Sequence, residues 1–462
     1  MNRRTLLHAA LCAAGIGGAS GAQGAARAAD GAAPAASAAH ATSATPPALS
    51  AAPADPAAVA EVKSGKRTEA NATWWGFDPQ DATAAIQGAI DSGARRVVVP
   101  NVGKPWLVRP IALRGDQEIV FEKGAEVAAR PGAFPDVRDC LFTAAGVSNL
   151  ALLGPGATLG MQKAEYREGE WRHALAILGC KNVKVVGLTL KESGGDGIYL
   201  GHGRTRDGPA ANEGIVIQGV TCDSNRRQGI SVITARDLLI EDSSFVNTGG
   251  TAPQAGIDFE PNRKDEALAR CAVRRCRIEN NRGPGITLNL NQMDRTTADV
   301  SIRIEDCRIS GSGREAIGIH RIGDGGPAGI LEFHRCAVRY GPSQGGLTVG
   351  GKSPDRVRVR FVRCTWQYAA DAPAPEKPRP ERPAFLFAAS IKETPQRTGG
   401  LEFTDCVLED PRPIPFLKGA APKGLSDPWQ AIRGNLEVRG PEPKMDLGGA
   451  AVELQVKAAT PK

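Results

Sequence analysis

Seven short apolar segments recur along the chain at a nearly constant spacing. Six of them read GIYLG, GISVI, GIDFE, GITLN, AIGIH and GLTVG, and AFLFA is a weaker seventh copy. Their first apolar residues run from Ile198 to Phe385 in steps of 27 to 38 residues. A period of about 30 residues indicates an internal repeat, which constrains the fold more strongly than any local propensity.

Each repeat contains strand, polar turn and strand, with turns such as CDSNRRQ and IENNRGP. Segments this short have no room for a crossover helix, so strands of one phase must stack in parallel, coil upon coil. The pattern therefore predicts an all-β fold, a parallel β-helix solenoid with a filled interior. Residues 81–93, DATAAIQGAIDSG, predict an amphipathic helix with Ile86 and Ile90 on one side, covering the N-terminal end.

A column of cysteines recurs at one phase of the repeat and supports the same alignment. Strand alternation turns these side chains inward, one rung of about 4.8 Å apart. We therefore predict a buried ladder of free thiols, because unpaired cysteine behaves as a small apolar residue. A disulfide between Cys271 and Cys276 remains open as an exception to this ladder of free thiols. The ladder comprises Cys276, Cys307, Cys336, Cys364 and Cys406.

The two ends of the chain differ from the repeats. Residues 1–28 have a basic start, a short apolar run and an A-x-A site, which indicates an export signal of the Sec or twin-arginine kind. Residues 29–68 are rich in Ala and Pro and predict a disordered linker. The β-helix is predicted over 69–440, followed by a weakly structured tail over 441–462. We expect a periplasmic or secreted protein.

Charge and hydropathy exclude two classes of partner. A net charge of +7 over 462 residues, without a basic block interleaved with aromatics, argues against nucleic-acid binding. No apolar run after the signal reaches the ~18 residues that a membrane-spanning helix needs. The expected partner is a polysaccharide or oligosaccharide substrate, bound by a monomer that is not inserted in a membrane.

The segments WWGFDPQDATAAIQGAIDSGARRVVVP and WLVRPIALRGDQEIVFEKGAEV, followed by the coils, resemble the pectin-lyase-like superfamily. That resemblance implies a single-stranded, right-handed parallel β-helix. The superfamily contains polygalacturonases and other glycoside hydrolases, polysaccharide lyases, pectin esterases, uronate epimerases and phage tailspikes. Because one fold serves all of them, the activity must be argued from the site.

Acidic residues gather on the outward face of the middle coils. In the strand AGIDFEPN, Asp258 and Glu260 share one face, since side chains alternate along a strand. Glycoside hydrolysis needs one carboxylic acid to protonate the leaving oxygen and one carboxylate to activate water or attack carbon. We therefore predict Asp258, Glu260 and Asp196 as catalytic residues. The predicted substrate-binding residues are Tyr199, Asn289, His320, Arg321 and Arg263.

Several alternatives remain open at this point. Arginines in the turns favour a polysaccharide lyase or uronate epimerase acting on an anionic glycan, and a non-catalytic glycan-binding solenoid is a third reading. No cofactor is expected, although a calcium site on Asp258 and Glu260 is an alternative because hard cations take oxygen ligands. Polygalacturonases carry a Gly-His-Gly motif; here His202 lies in such a motif on a different coil, and we interpret it as a loop residue.

Overall fold

A computed structural model describes residues 50–205, 208–372, 380–391, 394–441, 443–448 and 452–459. Parallel strands from successive coils form one 12-stranded sheet, here named the site sheet. Its strands are Ile111–Ala112, Phe142–Ala145, Leu175–Leu178, Ile198–Gly201, Ile230–Val232, Ile257–Phe259, Ile286–Asn289, Ile317–Ile322, Leu347–Lys352, Phe385–Ala388, Leu417–Ala420 and Met445–Asp446.

The remaining long strands belong to a 24-stranded sheet, here named the wide sheet. They are Glu69–Asn71, Arg96–Val99, Trp106–Val108, Gln117–Phe121, Glu126–Ala129, Ser148–Leu153, Thr158–Gly160, Lys181–Val186, Thr189–Lys191, Asn212–Gln218, Thr221–Asp223, Ala235–Glu241, Ser244–Val246, Leu268–Arg274, Arg277–Glu279, Val300–Glu305, Arg308–Ser310, Gly329–His334, Ala337–Tyr340, Arg358–Val362, Thr365–Tyr368, Thr398–Glu409, Trp429–Arg439 and Glu453–Ala459. Each of the middle coils adds one strand to the site sheet and two strands to the wide sheet, which pair in parallel with those of the next coil.

Few other elements interrupt the coils. Two α-helices, α1 over Pro56–Lys63 and α2 over Thr83–Asp91, precede most of the strands, and short 3-10 helices span Ala72–Trp75 and Lys163–Glu165. Two small antiparallel hairpins pair Gly203–Thr205 with Gly208–Ala210 and Ser390–Ile391 with Thr394–Pro395. Among the described residues, no helix is both long and apolar enough to cross a bilayer.

The register of the site sheet confirms the repeat alignment. Ile198, Ile230, Ile257 and Ile286 are direct partners in successive strands, and all four are fully buried. The same register continues through Ile317 to the C-terminal coils. The aliphatic side chains at this phase of the repeat stack on one another and fill the interior. Their packing is as close as is usual in protein cores.

Two further columns complete the core. The five ladder cysteines are buried and free. Cys271 is also buried and free, so the disulfide between Cys271 and Cys276 that the sequence left open does not form. Phe333, Phe361 and Phe403 stack on successive coils, with ring centroids 4.9 and 5.1 Å apart. These offset stacks add to the apolar area that the rings bury.

Helix α2 confirms the predicted helix within residues 81–93. Ile86 and Ile90 are fully buried on the side that packs against the first strands of the solenoid. Ordered elements lie within both predicted end segments. Helix α1 lies inside the stretch expected to be a disordered linker, with Val62 in the core, and the expected tail contains the strand Glu453–Ala459.

The N-cap of α1 explains why a helix forms in that stretch and gives a testable prediction. The Asp55 carboxylate accepts hydrogen bonds from the backbone N–H groups of Ala57 and Ala58, and Pro56 takes the first helical position. Asp55→Ala should lower the free energy of unfolding by about 1 kcal/mol, measured by urea denaturation. Exposed Lys66→Ala is the control. Equal stability of both variants would mean that α1 does not belong to the cooperative unit.

Candidate active site

The central outward column of the site sheet lies where the repeats predicted it. Tyr199, Ser231, Asp258 and Thr287 are direct partners on four successive strands. Beside this column the backbone ladder continues, because Glu260 N–H donates to the carbonyl oxygen of Val232. Parallel stacking therefore brings carboxylates from distant parts of the sequence to one place on the rod.

Two of the three predicted catalytic carboxylates are covered, which corrects the expectation that all three stand open on the outer face. Asp196 is 0% exposed and Asp258 is 1% exposed, whereas 30% of the Glu260 side chain is exposed. Arg227 and Gln228 come from the turn before the next strand and lie against these acids. Strand alternation predicted the direction of the side chains correctly but not their depth.

Arg227 is the centre of the acidic cluster, and its side chain is 15% exposed. Its Nε lies 3.2 Å from Glu170 Oε2, Nη2 lies 3.4 Å from Glu260 Oε2 and Nη1 lies 3.8 Å from Asp196 Oδ1. Burial opposes its charge, but the surrounding carboxylates more than offset burial and raise the pKa of Arg227. The Arg227 guanidinium therefore lies against acids from three coils. We name Arg227, Glu170, Asp196 and Glu260 the Arg227 cluster.

Asp258 and Glu260 lie in different environments. Burial, and after it the negative charge of Glu260, holds the pKa of Asp258 well above its usual range. Gln228 Nε2 donates to Asp258 Oδ2 at 2.6 Å, and Asn289 Nδ2 donates to Glu260 Oε1 at 3.1 Å. Asp258 is therefore buried against an amide donor, while the more exposed Glu260 lies beside Arg227.

A histidine that sequence reasoning missed supports Asp196. The buried His173 ring stacks on Tyr199 with centroids 4.5 Å apart and planes 4° apart. Its Nδ1 accepts the Asp196 backbone N–H at 3.0 Å. Burial and the nearby Arg227 charge lower the pKa of His173 to about 3, so the ring is neutral. Tyr199 is thus held against His173 at the edge of the cluster.

The buried state of Asp196 predicts how stability depends on pH. Burial raises the pKa of Asp196 from 3.8 to about 7, against a smaller lowering by Arg227. Between these values the folded protein holds a proton that the unfolded chain has released, so the free energy of unfolding falls as pH rises. The slope from this group is at most about 1.4 kcal/mol per pH unit.

Asp196→Asn should flatten that slope without abolishing it, because protonated Asp258 contributes a slope of the same sign. The measurement is urea unfolding of wild type and variant at several pH values from about 4 to 7. A variant whose stability falls as steeply as the wild type's would contradict the protonated, buried Asp196.

His320 belongs to a second group, one coil beyond Asn289 on the same sheet. Its Nε2 lies 3.4 Å from Oε1 of the buried Glu315, which also has Arg314 at 3.5 Å and Arg382 at 3.4 Å. Burial opposes ionisation of Glu315, but His320 and Arg314 outweigh it and lower the pKa of Glu315. His320 is therefore oriented by Glu315 and not by Glu260.

The last two predicted binding residues lie apart from the acids. Arg263 stands in an exposed loop and pairs with Asp265 at 2.7 Å. Arg321 follows His320 with a positive φ of 57°, so the strand's alternation is interrupted there. The structure thus joins Asp258, Glu260, Asp196, Tyr199 and Asn289 around Arg227, and leaves Arg263 outside.

A family model described as the right-handed beta helix region matches residues 173–365. That range contains Asp196, Arg227, Asp258 and Glu260, and its strands have the parallel, coil-by-coil pairing described above. The fold is a right-handed parallel β-helix of the pectin-lyase-like type. This confirms the fold expected from the repeats and from the sequence resemblance.

Solved β-helix structures share this architecture at low sequence identity. The Dettilon tailspike protein (gp208) aligns with a TM-score of 0.58 at 11% identity, over 84% of this chain and 68% of that one. The A-module of the mannuronan C-5 epimerase AlgE6 from Azotobacter vinelandii gives 0.56 at 13%, over 85% and 100%. An exopolygalacturonase from Thermotoga maritima gives 0.50 at 12%, over 79% and 95%. At these identities the likeness concerns the fold alone.

One curated relative matches a short part of the β-helix chain. Over 98 residues the chain is 34% identical to a Bacillus subtilis (strain 168) protein described as "Uncharacterized protein YclG". The match covers 20% of this chain and 16% of that protein. It therefore indicates relatedness over a fraction of both proteins and carries no activity to this one.

Metal binding has little geometric support within the part of the β-helix that the structure describes. No group of three or more His, Cys, Asp or Glu side chains there is arranged to hold a metal ion. At the Arg227 cluster the guanidinium already lies between the carboxylates of Glu170, Asp196 and Glu260. The calcium alternative built on Asp258 and Glu260 stays untested.

Proposed function

We propose that this β-helix protein is a carbohydrate-active enzyme that hydrolyses glycosidic bonds at the Arg227 cluster. The observation that carries the proposal is the Asp258–Glu260 pair. A buried acid, whose pKa is held above its usual range, lies against a carboxylate that is 30% exposed, on the outer face of the middle coils. Glycoside hydrolysis uses an accessible, oriented carboxylate to activate water.

Glu260 is the carboxylate that can meet a substrate, so we assign it the role of general base. It removes a proton from water while the water oxygen bonds to the anomeric carbon and the bond to the leaving oxygen breaks. Asn289 and Arg227 hold one Glu260 oxygen each, which orients the carboxylate. Asp258, being buried, acts through Glu260 as a positioning residue.

Substrate choice is proposed from the charges along the rod. In the Arg227 cluster one guanidinium already pairs with the carboxyl groups of Glu170 and Glu260, so it leaves no spare positive charge for a uronate carboxylate. A neutral sugar is therefore favoured at the reacting position. The Thermotoga maritima exopolygalacturonase, by its name, acts on an acidic glycan, and this chain is not proposed to share that substrate.

A lyase or uronate epimerase acting on an anionic glycan is the second candidate. The favouring observation is the group around Glu315, where Arg314, Arg382 and His320 face one carboxylate and positive charge exceeds negative. Such a surplus would attract a uronate. A β-helix that binds glycans without cleaving them is the remaining alternative.

The test is an incubation of the purified protein with starch, xylan, dextran, polygalacturonate and alginate. New reducing ends and the ultraviolet absorbance of unsaturated uronates are recorded together. Hydrolysis releases reducing ends without absorbance. Rising absorbance would replace hydrolysis by lyase chemistry, and sugar binding without any new ends would favour the non-catalytic alternative.

We also propose that the protein is exported to the periplasm or the medium. The support is the sequence of residues 1–28, which lie outside the described residues. Fractionation of cells that express the full chain, with an antibody to the β-helix, tests this. Retention of the whole pool in the cytoplasm would contradict it.

A further inference from the structure

The proposed hydrolysis requires a second proton-transfer group, and the two buried acids do not supply it. While Glu260 takes a proton from water, the leaving glycosidic oxygen needs a proton from the other side of the bond. Asp258 and Asp196 are 1% and 0% exposed, so neither reaches a bound sugar directly. The partner of Glu260 must therefore be an accessible titratable group nearby on the outer face.

A histidine–carboxylate pair fills this description. His202 Nδ1 lies 3.2 Å from Glu266 Oε1, with 35% of the histidine side chain exposed and 1% of the glutamate. Glu266 Oε2 accepts the backbone N–H groups of Asn262 at 2.5 Å and Arg263 at 3.0 Å. The buried carboxylate is thus fixed by the backbone, and its other oxygen is directed at an exposed imidazole.

The pair lies beside the Arg227 cluster. His202 directly follows the strand Ile198–Gly201, whose Tyr199 stacks on His173. The ladder places Gly201, Ile233 and Glu260 on successive coils, because Ile233 N–H donates to Leu200 O and Glu260 N–H to Val232 O. Two rungs separate Glu260 from Gly201, which is about 10 Å. The His202 and Glu260 side chains therefore start from backbone positions that lie two coils apart along the same edge of the site sheet.

Glu266 links the two groups through the chain as well. The loop from Glu260 to Glu266 leaves the acidic cluster and returns to His202, two coils earlier on the sheet. The Glu266 carboxylate is also close enough to Tyr199 to raise the pKa of that phenol, after burial and Asp196. Tyr199 therefore lies within electrostatic range of both Asp196 and Glu266.

We propose that His202 is the general acid of this reaction and that Glu266 is its positioning residue, an inference that rests on the proposed function. The His202 imidazolium gives its Nε2 proton to the leaving oxygen, which takes the electron pair of the breaking C–O bond. Glu260 receives the proton lost by water as the new C–O bond forms. One water is consumed, and solvent exchange returns both groups to their starting protonation.

The test uses the full chain and the polymer that the wild type cleaves. His202→Ala should lower kcat by about 10²- to 10⁴-fold, the range for loss of a general acid. Added imidazole should restore part of that activity in a saturable way, because a small acid can occupy the vacated space. Glu266→Gln should lower kcat by about 10- to 100-fold with little change in KM, by analogy with lost orienting carboxylates at histidines.

A second histidine–glutamate pair gives the matched control. His334 Nε2 lies 3.6 Å from Glu332 Oε1 on the wide sheet, away from the acids. His334→Ala should keep wild-type kcat and should not respond to imidazole.

Two results would overturn the inference while leaving the proposed function intact. They are a His202→Ala variant with wild-type kcat, and a folded, inactive variant that imidazole does not restore. If the wild type itself releases no reducing ends from any polymer, the proposed function fails first.

Discussion

Glu260→Gln is expected to lower kcat for glycan cleavage by about 10²- to 10⁴-fold, the usual contribution of one acid–base group. The glutamine keeps the size of the side chain and a partner for Asn289, whose Nδ2 now donates to Glu260. The substitution removes the carboxylate that is proposed to accept the proton from water. The loss should therefore appear in kcat, measured from reducing ends, with KM changed only a few-fold.

Glu170→Gln is the matched control for this variant. Glu170 contacts the same guanidinium at 3.2 Å and is 33% exposed, close to the 30% of Glu260. Both substitutions remove one carboxylate from Arg227, but only Glu260 lies beside the buried Asp258. Equal losses in the two variants would mean that the charge balance of Arg227 matters and that Glu260 has no special chemical role.

Arg227→Met is expected to lower the free energy of unfolding by about 3–5 kcal/mol, the range for removing one partner of a buried ion pair. Asp196 would then lie in the interior with no cation near it, and Glu260 would lose its ion pair. Urea denaturation at about pH 9, above the pKa of about 7 of Asp196, measures the change. The exposed Arg270→Met, which loses only the surface pair with Asp237, should change stability little.

A double variant separates charge from packing in this prediction. Asp196→Asn removes the acid that Arg227→Met leaves unpaired, so Arg227→Met with Asp196→Asn should be more stable than Arg227→Met alone. The two sites are in contact, so their effects should not add. Strictly additive losses would contradict the view that Arg227 compensates the charge of Asp196.

The repeat made most of the fold predictable. The positions of Ile198, Ile230 and Ile257 fix the register, since parallel coils place the same phase on the same rung. The same register sets Asp258 next to Ser231 and Thr287, because these residues hold one phase of the repeat. Handedness came from the resemblance, because a repeat length alone does not specify it.

The depth and the partners of the acids were not predictable in this way. Alternation tells which face a side chain takes, but Arg227 and Gln228 reach Asp196 and Asp258 from a turn. Side chains in turns have no periodic signal, so the sequence does not distinguish Arg227 from other arginines in turns. His173 lies before a site-sheet strand and likewise gave no signal.

The composition of residues 29–68 gave no indication of helix α1. Residues 29–68 are dominated by Ala and Pro, which is typical of a linker, yet Asp55-Pro56 is an N-cap followed by proline at the first helical position. Local capping signals within a biased segment would have predicted helix α1. Its apolar contact through Val62 depends on the solenoid and could not be inferred from the segment alone.

The most direct test of the central claim is a crystal structure of the Glu260→Gln protein with an oligosaccharide from the polymer that the wild type cleaves. The account predicts that a glycosidic bond lies across the site sheet, with the side chain at position 260 within reach of the anomeric carbon through one water. His202 should lie on the side of the leaving oxygen. A sugar bound elsewhere along the rod, with the Arg227 cluster left uncontacted, would contradict the account.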